Sequence, residues 1–334
     1  MINIGWRIYM ESKAKKRIVT AAVAVLLTVA ALLTYFIFAV SNFRAYGSSL
    51  TVDEENGTLC YSGESLKILQ LSDVQTSNLV ESAIAYPMLK RVVRRTEPDL
   101  IVLTGDNISN DSSRAVLDTF ISLMDSFEIP WALVFGNHDI RSAVPVDEIC
   151  DAYEESEYCL FKTGDIEQRY GNYYYKIERD GETVYSLVFM DSSNSNFTEE
   201  QVEWYRDSVE EISAESGYTV PSFVFYHIPI AETAEAHEAY ALDPTIGSGR
   251  QISEVRVQDE NTGFFDTALE LGSAKALFFG HDHRNNTHIN YEGVLFCYAT
   301  KTGRTVYYER DSLGGNLITL YSDSSFTVER IDGK

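Results

Sequence analysis

The sequence predicts an α/β fold, because short apolar runs typical of buried strands alternate with segments that show the apolar spacing of amphipathic helices. Each strand-like run is rich in β-branched or aromatic residues and ends abruptly at polar residues, which favours strands over helices. These runs lie at residues 67–71, 100–104, 131–135, 185–190, 223–226 and 276–279. The helical patterns lie at residues 80–95, 113–126 and 198–213, and the last of them begins with Thr198 as a cap.

The composition is that of a globular protein with a sizeable core. Of the 334 residues, 45% are hydrophobic and only 7 are proline, which excludes a collagen-like, low-complexity or largely disordered chain. The residues after Val294 have a strand-like pattern with a turn at Gly314 and Gly315. We find no internal repeat and no second compositional regime, so the sequence predicts one domain over residues 65–334.

The N-terminus predicts a membrane anchor. Residues 18–40 contain no charged side chain and are long enough, as a helix, to cross a hydrocarbon layer of about 30 Å. A cleaved signal peptide is the alternative, but its apolar core usually spans only about 7–15 residues. Residues 1–17 form a basic tail that is expected to stay in the cytoplasm. The chain is therefore expected to cross the plasma membrane once, with its large domain outside the cell.

The body of the chain is strongly acidic. The net charge of the whole chain is −23, and residues 1–17 carry +4, so the remainder carries −27. A surface of this charge repels phosphate backbones, and we expect no nucleic-acid partner. Contact with the lipid bilayer is expected only through residues 18–40.

The sequence predicts a linker before the large domain and no disulfide scaffold within it. The segment 41–64 is polar and contains glycine and serine, which is typical of a short linker with room for an edge hairpin. Four cysteines are too few for a disulfide scaffold, and the sequence does not choose among their three full pairings. Outside the cytosol, Cys150 and Cys159 are close enough in sequence to pair, whereas Cys297 lies in an apolar run typical of a buried thiol.

Side chains with metal-binding chemistry follow the predicted strands at the point where each strand ends. In an α/β sheet, the crevice beyond the carboxyl ends of the strands is where ligands bind. Glycines precede several of these side chains and allow the chain to turn sharply into that crevice. The residues concerned are Asp73, Asp106, Asn137, His138, His227, His281 and His283.

This mixture of carboxylate, amide and imidazole groups favours a site for two divalent ions. Such a site needs a bridging carboxylate, which we assign to Asp106, and it clamps the attacking and leaving oxygens of an in-line displacement at phosphorus. His281 and His283 are two residues apart on an extended segment, so both are expected to point to the same side. His237 and His288 lack this context and are expected to be exposed.

The ordered motifs resemble the calcineurin-like metallophosphoesterase superfamily over roughly residues 66–310. They are GD at 105–106, GNHD at 136–139 and GHDH at 280–283, each after an apolar strand. The segments YHIPIAE at 226–232 and LFCYATKTG at 295–303 resemble the fungal and plant branch of purple-acid-phosphatase-like proteins. The resemblance implies a two-sheet β-sandwich flanked by helices, in an α/β/β/α arrangement.

The resemblance also implies a role for each residue of the motifs. The first metal ion would be held by Asp73, Asp106 and His283. The second would be held by Asp106, Asn137, His227 and His281. His138 would act as the acid beside the leaving oxygen, and Asp139 would orient His138.

The chain departs from the family pattern at Gln75, where the family usually has a histidine ligand. If Gln75 binds the first ion through its amide oxygen, that site is richer in oxygen than usual, which favours Mn²⁺ there over Fe or Zn. Ser109 stands three residues after Asp106, where true purple acid phosphatases carry a tyrosine ligand. An iron-loaded sample is therefore not expected to be purple.

The sequence therefore predicts a membrane-anchored phosphoesterase with two divalent or mixed-valence ions that hydrolyses a small phosphate mono- or diester. The resemblance implies in-line attack by metal-bound hydroxide, with His138 as the acid. The alternative is a non-catalytic extracellular binding module on the same scaffold, given Gln75. Acidic loops at 143–170 and 232–262 disfavour large polyanions, and the anchor makes membrane- or envelope-associated phosphates candidate substrates.

Overall fold

The computed structural model describes residues 16–31 and 48–334. The chain divides into two units, Met1–Phe43 and Arg44–Lys334. In the first unit, residues 16–31 form a helix, α1, whose residues are exposed. The predicted tail 1–17 lies outside the described residues up to position 15, as does the predicted span 18–40 beyond position 31. Within the part of the chain that is described, no helix combines the length and the apolar character needed to cross a membrane.

The second unit contains strands and helices in alternation. Its strands are β1 (Thr51–Asp53), β2 (Thr58–Tyr61), β3 (Ser65–Leu71), β4 (Leu100–Thr104), β5 (Trp131–Val134), β6 (Tyr173–Arg179), β7 (Glu182–Phe189), β8 (Ser222–Phe225), β9 (Gly247–Ser248), β10 (Ala274–Phe279), β11 (His288–Tyr291), β12 (Val294–Tyr298), β13 (Gly314–Tyr321) and β14 (Phe326–Asp332). Its α-helices are α2 (Leu79–Thr96), α3 (Arg114–Asp125), α4 (Val146–Glu154), α5 (Glu199–Ser216), α6 (Glu232–Leu242) and α7 (Phe264–Leu271). Short 3₁₀ turns lie at Asp139–Arg141 and Pro244–Ile246.

The strands form two sheets, which confirms the predicted α/β fold with two sheets and flanking helices. The larger sheet has nine strands in the order β1-β2-β6-β7-β8-β10-β12-β11-β9, and the smaller has five in the order β14-β13-β3-β4-β5. Strands β3, β4 and β5 are parallel to one another, and so are β7, β8, β10 and β12. Parallel strands end at the same edge of a sheet, so the polar residues that follow them are brought together.

Contacts between the two sheets form the centre of the sandwich. Phe223 of β8 packs edge-on against Phe326 of β14, with ring centroids 4.9 Å apart. Asn316 of β13 donates a hydrogen bond to the carbonyl oxygen of Tyr298 on β12, at 2.9 Å. Because the buried polar side chains between the sheets are hydrogen-bonded, they fix how one sheet lies on the other.

Helices cover the outer faces of both sheets. On the smaller sheet, Phe120 of α3 packs edge-on against Trp131 of β5, with ring centroids 6.2 Å apart. On the larger sheet, Phe264 of α7 packs edge-on against Tyr226, the residue directly after β8, with ring centroids 6.4 Å apart. Tyr205 of α5 packs against the same Phe264 at 5.0 Å. Helix α5 begins after its predicted cap, Thr198, which forms a capping box with Gln201, and the helix runs on to Ser216.

Several expectations are corrected by the second unit. Strands β1 and β2 form the edge hairpin, but β2 also pairs in parallel with β6, so the folded unit includes part of the predicted linker. His237 and His288 are buried rather than exposed, because each accepts or donates hydrogen bonds inside the fold. All four cysteines are free, and Cys297 is the buried thiol that its apolar strand predicts.

Candidate metal centre

The loops that follow the parallel strands turn sharply at the carboxyl edge of the sheets. Asp73, Asp106 and His281 have φ angles of 55°, 51° and 76°, a left-handed conformation that is uncommon for residues with a side chain. Strain of this kind, about 1 to 3 kcal/mol for each residue, is typical of functional sites. Gly136 has a different role, because it lets its backbone lie close to the side chain of Asp106. A Cβ atom at this position would lie 2.2 Å from Oδ1 of Asp106.

The first cluster of ligand atoms comes from Asp73, Asp106 and His283. All three are buried, and one ligand atom from each lies within 4.8 Å of the others. Nε2 of His283 is 3.1 Å from Oδ1 of Asp73. Nδ1 of His283 lies 3.1 Å from the carbonyl oxygen of Tyr307, a partner that places the proton on Nδ1 and leaves the lone pair of Nε2 for an ion.

The second cluster shares Asp106 with the first. Nε2 of His227 is 3.4 Å from Oδ2 of Asp106 and 3.4 Å from Nδ1 of His281. Nδ1 of His227 lies 2.8 Å from the carbonyl oxygen of Thr104, which turns Nε2 toward the cluster. Oδ1 of Asn137 is buried and, among the described residues, has no hydrogen-bond partner.

These residues fit a pair of divalent ions. Divalent ions hold nitrogen and oxygen ligands at about 2.1 Å, so two ligands of one ion lie roughly 3.0 to 3.4 Å apart. The separations within the two clusters are 3.1 and 3.4 Å. A buried amide oxygen without a donor, as at Asn137, costs free energy unless a cation satisfies it. Asp106 takes part in both clusters, which is what a bridging carboxylate requires.

The two carboxyl groups are ionised in the fold. Burial acts to raise the pKa of both, but the neighbouring imidazoles outweigh it. His283 holds the pKa of Asp73 below its usual range, and His227 does the same for Asp106. Both carboxylates are therefore available as metal ligands at neutral pH.

The two histidines of the second cluster differ in charge. Burial acts to lower the pKa of His227, but Asp106 outweighs it and raises that pKa to about 9. Burial lowers the pKa of His281 to about 4, and the nearby His227 acts in the same direction. His281 is thus neutral and ready to bind an ion, whereas His227 has to release a proton when an ion binds.

His138 lies at the edge of the site, and the expected role of Asp139 is wrong. Nε2 of His138 is 3.9 Å from Oδ2 of Asp106, and Nδ1 is 3.0 Å from Oδ1 of Asn110. Asp139 accepts hydrogen bonds from the backbone N–H groups of Gly136 and Ile108, at 2.8 and 2.9 Å. Asp139 therefore holds the motif loop, and Asn110 is the residue that orients His138.

Gln75 is buried beside the first cluster, and its amide oxygen faces a lysine. Nζ of Lys301 lies 3.5 Å from Oε1 of Gln75 and donates to the carbonyl oxygen of Asp73 at 2.7 Å. Burial lowers the pKa of Lys301 to about 8, so its ammonium group is protonated at neutral pH. The predicted role of Gln75 as a ligand stays a prediction, with Lys301 as a competing partner for the same oxygen.

Sequence reasoning missed Asn110, Lys301 and the carbonyl groups that orient His227 and His283. Asn110 lies outside the GD and GNHD motifs, and Lys301 lies in a run, ATKTG, without a metal ligand. A backbone carbonyl group carries no residue type, so no sequence signal marks it. These side chains and carbonyl groups come close to the metal ligands only when the loops meet in the folded chain.

The amino-acid sequence matches the model of a known protein family. The family model for calcineurin-like phosphoesterases matches residues 66–285. The chain belongs to the calcineurin-like phosphoesterase family. Members of this family depend on a pair of metal ions, in agreement with the two clusters around Asp106.

The relatives of this chain include purple-acid-phosphatase-like proteins. The chain is 27% identical over 289 residues to probable inactive purple acid phosphatase 28 of Arabidopsis thaliana, covering 72% of this chain and 71% of the relative. It is also 27% identical over 227 residues to phosphatase DCR2 of Saccharomyces cerevisiae, covering 59% of this chain and 38% of the relative. This confirms the predicted resemblance to that branch.

Solved structures of low sequence identity share the fold. A dimetal phosphatase from Danio rerio has a TM-score of 0.50 at 12% identity, covering 80% of this chain and 99% of the other. GAP50, described as the anchor in the inner membrane complex of Plasmodium, has a TM-score of 0.51 at 12% identity, covering 81% and 86%. These likenesses support the two-sheet architecture alone.

Proposed function

We propose that this chain is an active metal-dependent phosphoesterase that hydrolyses a small phosphate mono- or diester. The observation that supports it best is the convergence of carboxylate and imidazole side chains from separate strand ends on one buried cluster, with His138 beside it. Membership of the phosphoesterase family supports the hydrolase class.

Each of the two clusters supplies the ligands of one metal ion. Asp73, Asp106 and His283 would hold the first, and Asp106 would share the second with Asn137, His227 and His281. When bound, the two ions polarise the phosphate group and lower the pKa of a water molecule that attacks it. The first ligand set has two carboxylates and one imidazole, and this oxygen-rich set supports Mn²⁺ at that position.

His138 acts on the leaving group in this proposal. Its side chain is 31% exposed, whereas Asp106 is only 1% exposed, so the imidazole can meet a substrate that the buried ligands do not touch directly. Asn110 accepts the hydrogen bond from Nδ1 and leaves Nε2 on the side of Asp106. With its Nδ1–H held by Asn110, His138 can donate from Nε2 only as the imidazolium, and in that form Nε2 would give its proton to the leaving oxygen. Burial lowers the pKa of His138, so the imidazolium form is populated at a lower pH than for an ordinary histidine.

A non-catalytic binding module remains the alternative, and two observations favour it. The amide oxygen of Gln75 faces Lys301 at 3.5 Å, at the position where the family usually supplies a histidine ligand. The Arabidopsis relative is named a probable inactive phosphatase, whereas the yeast relative is named a phosphatase. Turnover measurements distinguish the two functions.

The first prediction concerns turnover and His138. We expect the full chain with added Mn²⁺ to hydrolyse p-nitrophenyl phosphate, and His138→Ala to lower kcat on an alkyl phosphate by about 100-fold or more. The loss should be smaller on p-nitrophenyl phosphate, because nitrophenolate leaves without being protonated. Metal content, measured by mass spectrometry, should be unchanged in the variant. Wild-type protein that binds two ions but hydrolyses neither mono- nor diesters would be a binding module.

We also propose that residues 18–40 anchor the chain in the plasma membrane with the phosphoesterase unit outside. The uncharged length of this segment and the basic residues before it support the proposal. The full chain is expected in the membrane fraction, and a chain without residues 1–40 in the soluble fraction. In intact cells, added protease should degrade residues after position 41. Release of the full chain by high salt, or protection of the unit from protease, would contradict the anchor or its orientation.

A further inference from the structure

A buried lysine lies next to the first metal cluster. Lys301 is 1% exposed, and its Nζ donates to the carbonyl oxygen of Asp73 at 2.7 Å and approaches Oε1 of Gln75 at 3.5 Å. Neither of these oxygens carries a charge, so they stabilise the ammonium group without neutralising it. The ammonium group is therefore held against the backbone of Asp73, the residue whose carboxylate is expected to bind the first ion.

The segment that carries Lys301 is clamped to the loop of the first motif. The backbone N–H of Thr302 donates to Ser72, and the hydroxyl of Thr305 donates to the carbonyl oxygen of Gln75 at 2.7 Å. A Cβ atom at Gly303 would lie 2.1 Å from the carbonyl oxygen of Val74, so only glycine permits this approach. The clamp leaves Lys301 little freedom to move away from the motif loop.

We infer that Lys301 is a positioning residue of the metal centre, which engages the amide oxygen of Gln75 and weakens binding of the first ion. Like charges in a site of low dielectric constant repel strongly, so an ammonium group beside Asp73 lowers the affinity of the first site for a divalent ion. The second site, formed by Asp106, Asn137, His227 and His281, has no hydrogen bond with Lys301 among the described residues, so the effect is expected at the first site. Gln75 and Lys301 form one functional pair, so a change at one is expected to depend on the other.

The inference rests on the metal centre of the proposed function, and it does not require turnover. The test is Mn²⁺ titration of metal-free, full-length protein by calorimetry, with bound Mn²⁺ counted by electron paramagnetic resonance. The wild type should show one tight and one weak site. Lys301→Met should tighten the weak site by about tenfold and leave the tight site unchanged. Lys301→Arg, which keeps the charge, should retain the weak site.

A second substitution keeps the test valid if Lys301→Met folds poorly. Gln75→His restores the usual ligand type, but with Lys301 present its imidazole faces the ammonium group, so little gain in Mn²⁺ affinity is expected. Gln75→His combined with Lys301→Gln should gain at least tenfold over either change alone. Equal affinities of the weak site in wild type, Lys301→Met and Lys301→Gln would overturn the inference, and so would a full gain from Gln75→His alone.

The result separates this inference from the proposed function. If the wild type binds no Mn²⁺ at either site, both are wrong. If Mn²⁺ binds as inferred but no phosphate ester is hydrolysed, the role of Lys301 holds and the alternative of a binding module is favoured. If turnover is found while Lys301 has no effect on metal affinity, the phosphoesterase stands and the inference about Lys301 is wrong.

Discussion

His138 depends on a neighbour outside its own motif. A histidine that donates a proton needs its second ring nitrogen held by an acceptor, and here Oδ1 of Asn110 is 3.0 Å from Nδ1. The adjacent Asp139 was the expected acceptor because carboxylates commonly orient catalytic histidines. Its oxygens are instead occupied by the N–H groups of Gly136 and Ile108.

We predict that Asn110→Ala lowers kcat on an alkyl phosphate by about tenfold, because the imidazole of His138 loses the partner that orients it. KM and metal content should change little, since Asn110 belongs to neither metal cluster. Asn110→Asp keeps an acceptor oxygen at the same place and should retain most of the activity. An unchanged kcat in Asn110→Ala would mean that another group orients His138.

Asp139 provides the matched control for this prediction. Burial raises its pKa to about 7, and its two oxygens receive the backbone N–H groups of the motif loop. In Asp139→Asn one of these N–H groups loses its acceptor, which costs about 1 to 3 kcal/mol in the free energy of unfolding. The defect of this variant should thus appear in chemical denaturation, whereas that of Asn110→Ala should appear in kcat.

At the level of elements, the sequence predicts the buried strands that precede the motifs, but it does not predict β6, β9 and β11. The runs at β3, β4 and β5 are buried on both faces of a parallel sheet, and this gives a continuous apolar pattern that few helices share. The helices α2 and α5 follow from apolar spacing, and α5 also from its cap at Thr198, whereas the cap of α2 at Asn78 is seen in the structure alone.

The hairpin of β1 and β2 shows what limited the prediction. Its strands, Thr51–Asp53 and Thr58–Tyr61, are short and lie in a polar segment, so they resemble a linker until β2 pairs with β6. That pairing joins residues more than a hundred positions apart, and no local pattern encodes it. Residues before position 65 thus take part in the larger sheet through this pairing.

At the level of the whole molecule, the two sheets are joined by buried polar side chains as well as by aromatic contacts. His288 of β11 lies in the larger sheet, and its Nε2 is 3.3 Å from Oδ1 of Asn316 on β13 in the smaller sheet. Burial lowers the pKa of His288 to about 4, and the charge of Arg330 acts in the same direction. The fold therefore favours the neutral imidazole.

This arrangement predicts that acid destabilises the sandwich through His288. The pKa in the unfolded chain is about 6.5, so the stabilisation is complete above that pH and is lost as pH falls toward 4. Between pH 7 and pH 5 the loss attributable to His288 is about 2 kcal/mol. The glutamine of His288→Gln can donate a hydrogen bond to Asn316 but does not titrate. Between pH 7 and pH 5, the free energy of unfolding measured with urea should therefore fall by about 2 kcal/mol less in this variant than in the wild type. Parallel pH profiles for the two proteins would contradict this account.

The sequence by itself determined the α/β class, the strands that precede the motifs and the residue types of the metal centre, because apolar periodicity and strand-end motifs are local properties of the chain. The tertiary structure decided which of these residues meet and what lies behind them. Several side chains of the site and of the sheet interface are held by partners in other segments of the chain, and these contacts follow only from how the two sheets and their loops pack. The partners are Asn110, Lys301, Tyr307 and Asn316. The charge beside Asp73 is the clearest case, since Lys301 reaches it from 228 residues away.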